Sequence, residues 1–419
     1  MIHSRRVLLA DADAFYVSVA RLMDPDGVGK EPLVIVGGSA TGRGVVTSAS
    51  YQAREFGVRS AMPTAQALRL CPGAVVVPVP RDVCAQKSKE ILEVLEQFTP
   101  VVEPASIDEF YLDMGGTEHV YHDEPLAITA ERIRETVEDE TGLSVSIGGG
   151  TSKLIAKLAA KVAKPRPGRE GTGVHIVAPG AEAEFMEELE LAAIPMIGPK
   201  FQERLERFRL RTIRDALRHD RVTLEQWFGQ RTGRWLYQRV RGVDTTTISR
   251  GPRRRSIGHE ETFARDLTAN EELERELLRL AVHVAGDLRR KHLSARTITV
   301  KIKDNDFTVR QASRTLAAPF TTDRVVHTVS RELLQKLRDD RLIPARLLGV
   351  SLSQLRSDVR DPAQLSLFLE DESNVDAHDT DRERTLSEVR DRISEKYGHT
   401  GIVRGTEVLS RRARRPPST

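Results

Sequence analysis

Cysteine is nearly absent from the sequence: Cys71 and Cys84 are the two among 419 residues. Two thiols cannot build a disulfide framework or a four-ligand zinc site, and both read as ordinary, partly buried side chains. No apolar run approaches the roughly 20 residues that a membrane span requires, so no membrane partner is expected. The opening stretch MIHSRRVLLADADAF reaches an aspartate too early for a secretory signal, which points to a cytoplasmic protein. There is no fixed-period repeat of the kind that signals a solenoid.

What is present is a globular composition, 39% hydrophobic and 30% charged, on a chain too long for one ordinary core. Roughly two to four domains are expected. The net charge of +3 hides a segregation. Residues 195–360 hold 35 Lys and Arg against 21 Asp and Glu, a net +14, which leaves −11 for the remainder. Arg253, Arg254, Arg255, Arg289, Arg290 and Lys291 cluster inside that basic block. Such a block suits a polyanion, above all a nucleic acid backbone.

Short apolar runs at 7–9, 33–36, 45–47, 75–79, 110–112 and 145–147 predict strands, and helical periodicity appears at 83–98, 126–140 and 154–162. Two prolines and a glycine in Lys164-Pro165-Arg166-Pro167-Gly168 then interrupt the chain. Residues 181–243 read as short helices with tight connections. From 251 to about 355 strand patterns return around helices at 271–290 and 322–337, with clean alternation at 297–302. The last sixty or so residues read as a tail: acidic and polar at first, with one amphipathic stretch near 385–396 and an arginine-rich end.

Two acidic motifs carry the chemistry. Asp11-Ala12-Asp13-Ala14-Phe15-Tyr16 closes one apolar strand, and the spacing of two sends both carboxylates to one face. Ser106-Ile107-Asp108-Glu109 sets another pair at the head of the run Phe110-Tyr111-Leu112. Carboxylates on adjacent strand ends can hold two hard cations about 3.5 to 4 Å apart, the arrangement for in-line phosphoryl transfer.

DADAFY with SIDEFYLD resembles the paired catalytic motifs of the Y-family DNA polymerases, in particular their polymerase IV (DinB-like) branch. The segments Arg43-Gly44-Val45-Val46 and 48–63 (SASYQAREFGVRSAMP) resemble the fingers of that family nearly residue for residue. The similarity continues through Gly150-Thr151-Ser152-Lys153, 160–165 (AKVAKP) and Arg254-Arg255-Ser256-Ile257-Gly258, covering roughly residues 5 to 370. Two positions depart from the pattern: Ala20 stands where the family generally has Glu, and Ser152 where many members have Asn.

The resemblance implies an α+β multidomain right hand. Its parts are a ferredoxin-like palm (1–15 and 81–180), small fingers (16–80), a helical helix-hairpin-helix thumb (181–245), an α/β little finger (251–358) and a flexible C-terminal tail (359–419). It implies an error-prone DNA polymerase extending primers from dNTPs with two Mg2+ ions. Asp11, Asp108 and Glu109, with the carbonyl of Ala12, would hold the metals. Tyr51, Arg54 and Lys164 would contact the triphosphate, and Tyr16 would be the steric gate against ribose. Ile197, Gly198 and Lys200 of the thumb hairpin, in which Met196 replaces the usual first glycine, would contact primer-template DNA. So would Arg253, Arg254, Arg255, Lys301 and Lys303. Gln364, Leu365, Leu367 and Phe368 of QLSLF resemble the pentapeptide that docks on the bacterial sliding clamp, and the protein is expected to be a monomer.

Overall fold

The computed structural model describes residues 5–166, 171–251, 254–357 and 379–397. The chain divides into two compact units, Met1–Pro252 and Arg253–Thr419. The first unit opens with β1 (Val7–Ala12), α1 (Phe15–Met23), β2 (Val34–Gly37) and β3 (Val46–Ala49). The short helices α2 (Tyr51–Glu55) and α3 (Thr64–Leu70) lead through β4 (Val75–Val77) into α4 (Arg81–Leu95). Next come β5 (Val102–Pro104), β6 (Glu109–Asp113), α5 (Leu126–Thr141), β7 (Val145–Gly150), α6 (Lys153–Ala163) and β8 (Val174–Ile176).

Five of these strands form a sheet in the order β5-β6-β1-β7-β8, with β1 antiparallel to both β6 and β7. Strand alternation divides its residues cleanly. Leu8, Ala10, Phe110, Leu112 and Ile147 pack with Ile91 and Leu95 of α4 and Ile133 and Val137 of α5. Each such aliphatic burial contributes about 1.5–3 kcal/mol. Val7, Leu9 and Tyr111 face the other way, against Ala156 and Ala160 of α6. The glycine run 148–150 admits that helix: a Cβ on Gly148 would lie 1.9 Å from the Ala160 nitrogen. The α6 backbone therefore rests directly on β7, which fixes the height at which its lysines meet the sheet.

A smaller sheet, β3-β2-β4, surrounds a second core of Ile35, Val46, Ala53, Val58 and Cys71. Cys84 is buried under the main sheet. The helices α7 (Glu182–Glu187), α8 (Pro199–Glu206), α9 (Ile213–Leu217), α10 (Arg221–Phe228) and α11 (Gln230–Arg239) pack around Ile194, Leu205, Leu224, Phe228 and Leu236. Local signals set their starts: Pro199 opens α8, and Thr212 with Asp215 forms a capping box on α9.

The second unit contains β9 (Ser256–Leu267), α12 (Asn270–Arg290), β10 (Leu293–Asp304), β11 (Val309–Phe320), α13 (Asp323–Asp340), β12 (Ala345–Ser353), β13 (Arg356–Ser357) and α14 (Asp381–Tyr397). Its main sheet runs β11-β10-β12-β9, all antiparallel. Ile298, Val300 and Ile302 of β10 join the core formed with α12 and α13. By alternation Thr299, Lys301 and Lys303 lie on the opposite face.

The expectation of a flexible tail does not hold for residues 379–397. Asp379 accepts from the N–H and hydroxyl groups of Thr321 and Thr322 ahead of α13. Asp391 of α14 receives Arg289 of α12, while Ser387 and Arg390 of α14 reach Asp323 of α13. Charged groups hold this helix in place, and they are invisible to a reading by apolar periodicity. Among the described residues, no helix is long and apolar enough to cross a membrane.

Candidate active site

Asp11 of β1 lies opposite Glu109 of β6, and the N–H of Ala12 donates to the carbonyl of Asp108 at 2.9 Å. The two acidic motifs, nearly a hundred residues apart in sequence, therefore end side by side on adjacent strands. Both Asp11 and Glu109 occupy positions that alternate onto the face covered by α6. Lys153 and Lys157 stand one turn apart on that helix, and Lys164 follows its last turn. Lys164 donates to Asp11 at 2.6 Å, Lys157 to both Glu109 oxygens at 2.6 and 2.9 Å, and Lys153 to Glu103 at 2.6 Å. Asp108 instead accepts from the Ser106 hydroxyl at 2.5 Å.

The strand ends thus gather the backbones of Asp11, Ala12, Asp108 and Glu109, while their side chains point to separate partners. Among the described residues no three His, Cys, Asp or Glu side chains converge as a metal cluster. Mutual repulsion explains the dispersal, since each carboxylate turns to the nearest cation or hydroxyl. The compensation is incomplete at Asp11. Burial pushes its carboxyl up to about 6, and the charges of Glu109 and Asp108 add to the rise that Lys164 opposes. Hard oxygen donors with excess negative charge are the chemistry that suits a divalent cation such as Mg2+.

Asp13 has a different environment. It is buried and accepts from Ser144 at 2.9 Å, from Ser146 at 2.9 and 3.0 Å, and from the Tyr51 hydroxyl at 3.3 Å. Those donors fix it as the anchor that ties β1 to β7 and to α2. Tyr51 and Arg54 belong to α2, whose first turn is capped by Ser50. The Arg54 guanidinium lies 4.9 Å from the Tyr51 ring centre and donates to the Ala49 carbonyl at 2.9 Å. Burial, then the charge of Asp13, pushes the Tyr51 hydroxyl up, so it remains a donor at neutral pH. Tyr16 packs edge-on to Phe15, with centroids 5.4 Å apart. Burial raises its pKa first, followed by the charge of Asp108.

In the thumb hairpin, the Ile197 N–H donates to the Ile194 carbonyl at 3.2 Å, and Met196 takes φ +73°. Pro195 followed by a residue of positive φ is the type II pattern, so the turn survives the loss of glycine. The Ile197 side chain is buried, and the turn takes up its N–H. Gly198 and Lys200 stand at the first turn of α8, where backbone N–H groups lack intrahelical partners. In the second unit Lys301 pairs with Glu260 at 2.8 and 3.0 Å, whereas Lys303 lies 4.7 Å from the ring centre of Phe307. Arg254 and Arg255 are exposed ahead of β9. Arg253 and the segment with Gln364, Leu365, Leu367 and Phe368 lie outside the described residues.

The sequence reading passed over Lys153, Lys157, Ser144 and Ser146. The lysine spacing of four and then seven, along one helical face aimed at an acidic sheet, is the signal that could have found the first two.

Residues 10–161 match the impB/mucB/samB family, residues 254–367 the C-terminal domain of that family, and residues 192–244 the thumb domain of DNA polymerase iota. The DNA polymerase IV of Gluconobacter oxydans is 36% identical over 84% of this chain and 95% of its own length. That of Treponema denticola is 34% identical over 96% of each chain. Among solved structures, a Y-family DNA polymerase chimera superposes with a TM-score of 0.72 at 23% identity, over 83% of this chain and 98% of the chimera. DinB from Sulfolobus solfataricus gives 0.57 at 23% identity over the same shares. Sequence relatives over nearly the whole chain, and a shared fold with acidic strand ends at its centre, make this chain a member of the impB/mucB/samB family, a DNA-directed DNA polymerase of the Y family's DNA polymerase IV branch.

Proposed function

We propose that this polymerase performs error-prone translesion synthesis, extending a primer on a DNA template from dNTPs with two Mg2+ ions held by Asp11, Asp108 and Glu109. The observation that carries the reading is the pairing of Asp11 with Glu109 across β1 and β6, with Asp108 adjacent and Lys157 of α6 and Lys164 just past that helix on the two carboxylates. Asp11, Asp108 and Glu109, with the Ala12 carbonyl, would hold the ions. When bound, the ions lower the pKa of the primer 3′-hydroxyl and neutralise charge on the triphosphate and departing pyrophosphate.

The other side chains bind and select. Lys164, Arg54 and the protonated Tyr51 hydroxyl supply a point charge, a fork of donors and a neutral donor to triphosphate oxygens. The Tyr16 ring penalises a ribose 2′-hydroxyl by clash. Gly198, Lys200, Arg253, Arg254, Arg255 and Lys303 grip phosphates, which gives binding without sequence preference. The QLSLF segment recruits the cytoplasmic monomer to the sliding clamp, and tethering then offsets weak intrinsic DNA binding.

Primer extension with Mg2+ and each dNTP, on undamaged and abasic templates, tests this reading. Extension by the wild type and its loss in Asp108→Ala supports it. A folded wild type that binds the clamp but extends nothing overturns it in favour of a clamp-bound adaptor.

A further inference from the structure

The hairpin joining β10 to β11 ends in Asp304-Asn305-Asp306-Phe307-Thr308. The Phe307 N–H donates to the Asp304 carbonyl at 3.0 Å, and the Asp304 N–H to the Thr308 carbonyl at 2.9 Å. This is a three-residue hairpin loop whose last position takes the left-handed conformation, the place normally held by glycine. Here a phenylalanine holds it, at φ +68° and 58% exposed. A bulky side chain in that region of backbone space is an outlier that points toward a function.

The surrounding bonds hold the turn rigid. Asp306 accepts from the Thr308 N–H at 2.9 Å and from Arg341 at 2.7 Å, and the Asn305 N–H donates to the Pro344 carbonyl at 2.9 Å. Fully buried Asp304 pairs with Arg310 and Arg341, each at 3.1 Å. The ring is therefore presented outward by a fixed support and lies outside the core of the unit.

Two cations sit over the ring in cation–π contact. The Lys303 ammonium is 4.7 Å and the Arg346 guanidinium carbon 4.8 Å from the ring centre. Among the described residues neither has a carboxylate partner, whereas nearby Lys301 is neutralised by Glu260. A ring that stays 58% exposed although two cations without carboxylate partners among the described residues lie over it is a combination that suits single-stranded nucleic acid: a base stacks on the ring surface left open and the cations reach the adjoining phosphates. Duplex DNA covers its base faces, so the ring distinguishes unpaired from paired DNA.

We propose that Phe307, Lys303 and Arg346 form a stacking site for an unpaired nucleotide of the template strand. The proposal rests on the polymerase reading for the identity of its ligand. Removal of one stacking ring weakens single-strand binding by about ten-fold, toward the lower end of the range for base–aromatic stacks.

The test compares wild type, Phe307→Ala and Phe307→Trp for binding to a labelled oligothymidylate and to a blunt duplex of equal length, at one fixed salt concentration. Phe307→Ala is expected to lose about ten-fold on the single strand with duplex affinity changed less than two-fold. Phe307→Trp should restore single-strand binding, and the oligothymidylate should quench its emission beyond the quenching seen with wild type. Unchanged single-strand binding in Phe307→Ala, or an equal loss on duplex, overturns the stacking site. A wild type that extends no primer overturns the polymerase reading instead, so the two failures are distinct.

Discussion

Lys157 donates to both carboxylate oxygens of Glu109, at 2.6 and 2.9 Å, from a helix whose backbone rests on the glycines of β7. A cation bound at Glu109 and the Lys157 ammonium compete for the same oxygens. The pair is partly exposed, so its contribution is small, about 0.5 kcal/mol after solvent screening.

Lys157→Met is therefore expected to make thermal stability more dependent on Mg2+. Without divalent ions the variant melts lower because Glu109 has lost its counter-charge, and added Mg2+ recovers the difference. For a unit of this size the extra Mg2+-induced rise in Tm should be about 1–2 °C over wild type. Equal Mg2+ responses in the two proteins would show that no cation binds at Glu109.

Asp11 sets a pH dependence. Its carboxyl is raised from 3.8 to about 6, chiefly by burial. Between those values the native state keeps a proton that the unfolded chain releases, so stability falls as pH rises through the window and levels off above it. The rise corresponds to roughly 3 kcal/mol, from which the loss of a partner for Lys164 must be subtracted. Asp11→Asn should thus gain about 1–2 kcal/mol at pH 7 in divalent-free buffer. It should also flatten the pH profile and abolish primer extension. Urea denaturation across the acid range measures this, and a variant less stable than wild type at neutral pH refutes it.

Met196 carries a strained turn in the open, at φ +73° and 85% exposed. A non-glycine residue in left-handed conformation costs about 1–2 kcal/mol, while glycine costs about 0.5–1 kcal/mol in unfolded-state entropy. Met196→Gly should stabilise the first unit by about 0.5–1 kcal/mol, and Met196→Ala should not. Chemical denaturation separates them. A Met196→Gly protein that is less stable would mean that the methionine side chain makes contacts stronger than the strain it imposes.

What the sequence revealed follows from what each signal encodes. The apolar runs at 7–9, 110–112 and 145–147 announced buried strands, and the acidic motifs fell at the ends of two of them, β1 and β6. The partners of those carboxylates were harder to see. Lys157 reads as a solvated helical residue until the register of β1 against β6 places Glu109 beneath it. Ser146 reads as an ordinary strand residue, and Ser144 as the residue before the strand, until β7 brings them to Asp13. Ile197 resembles a DNA contact by motif, and the backbone geometry by which its N–H closes a turn is not legible there.

The last helix shows the same limit most clearly. The apolar positions of the amphipathic stretch near 385–396 suggested one buried face, yet Leu386 and Tyr397 are 60% and 62% exposed. The face turned inward carries Ser387, Arg390 and Asp391, bonded to Asp323 and Arg289. A helix attached by charges through its polar face has little apolar burial to hold it, so its docking should be sensitive to salt. The double variant Asp379→Ala with Asp391→Ala removes the acceptors for Thr321, Thr322 and Arg289. Each charge-assisted bond contributes about 1.5–3 kcal/mol, so their joint loss should exceed what holds the helix down. Hydrogen exchange is expected to show residues 381–397 unprotected in the variant, and in wild type at high salt, while the strands β10 and β12 keep full protection. Retained protection of that helix in the variant would mean that apolar contacts, and not these aspartates, hold it to the second unit.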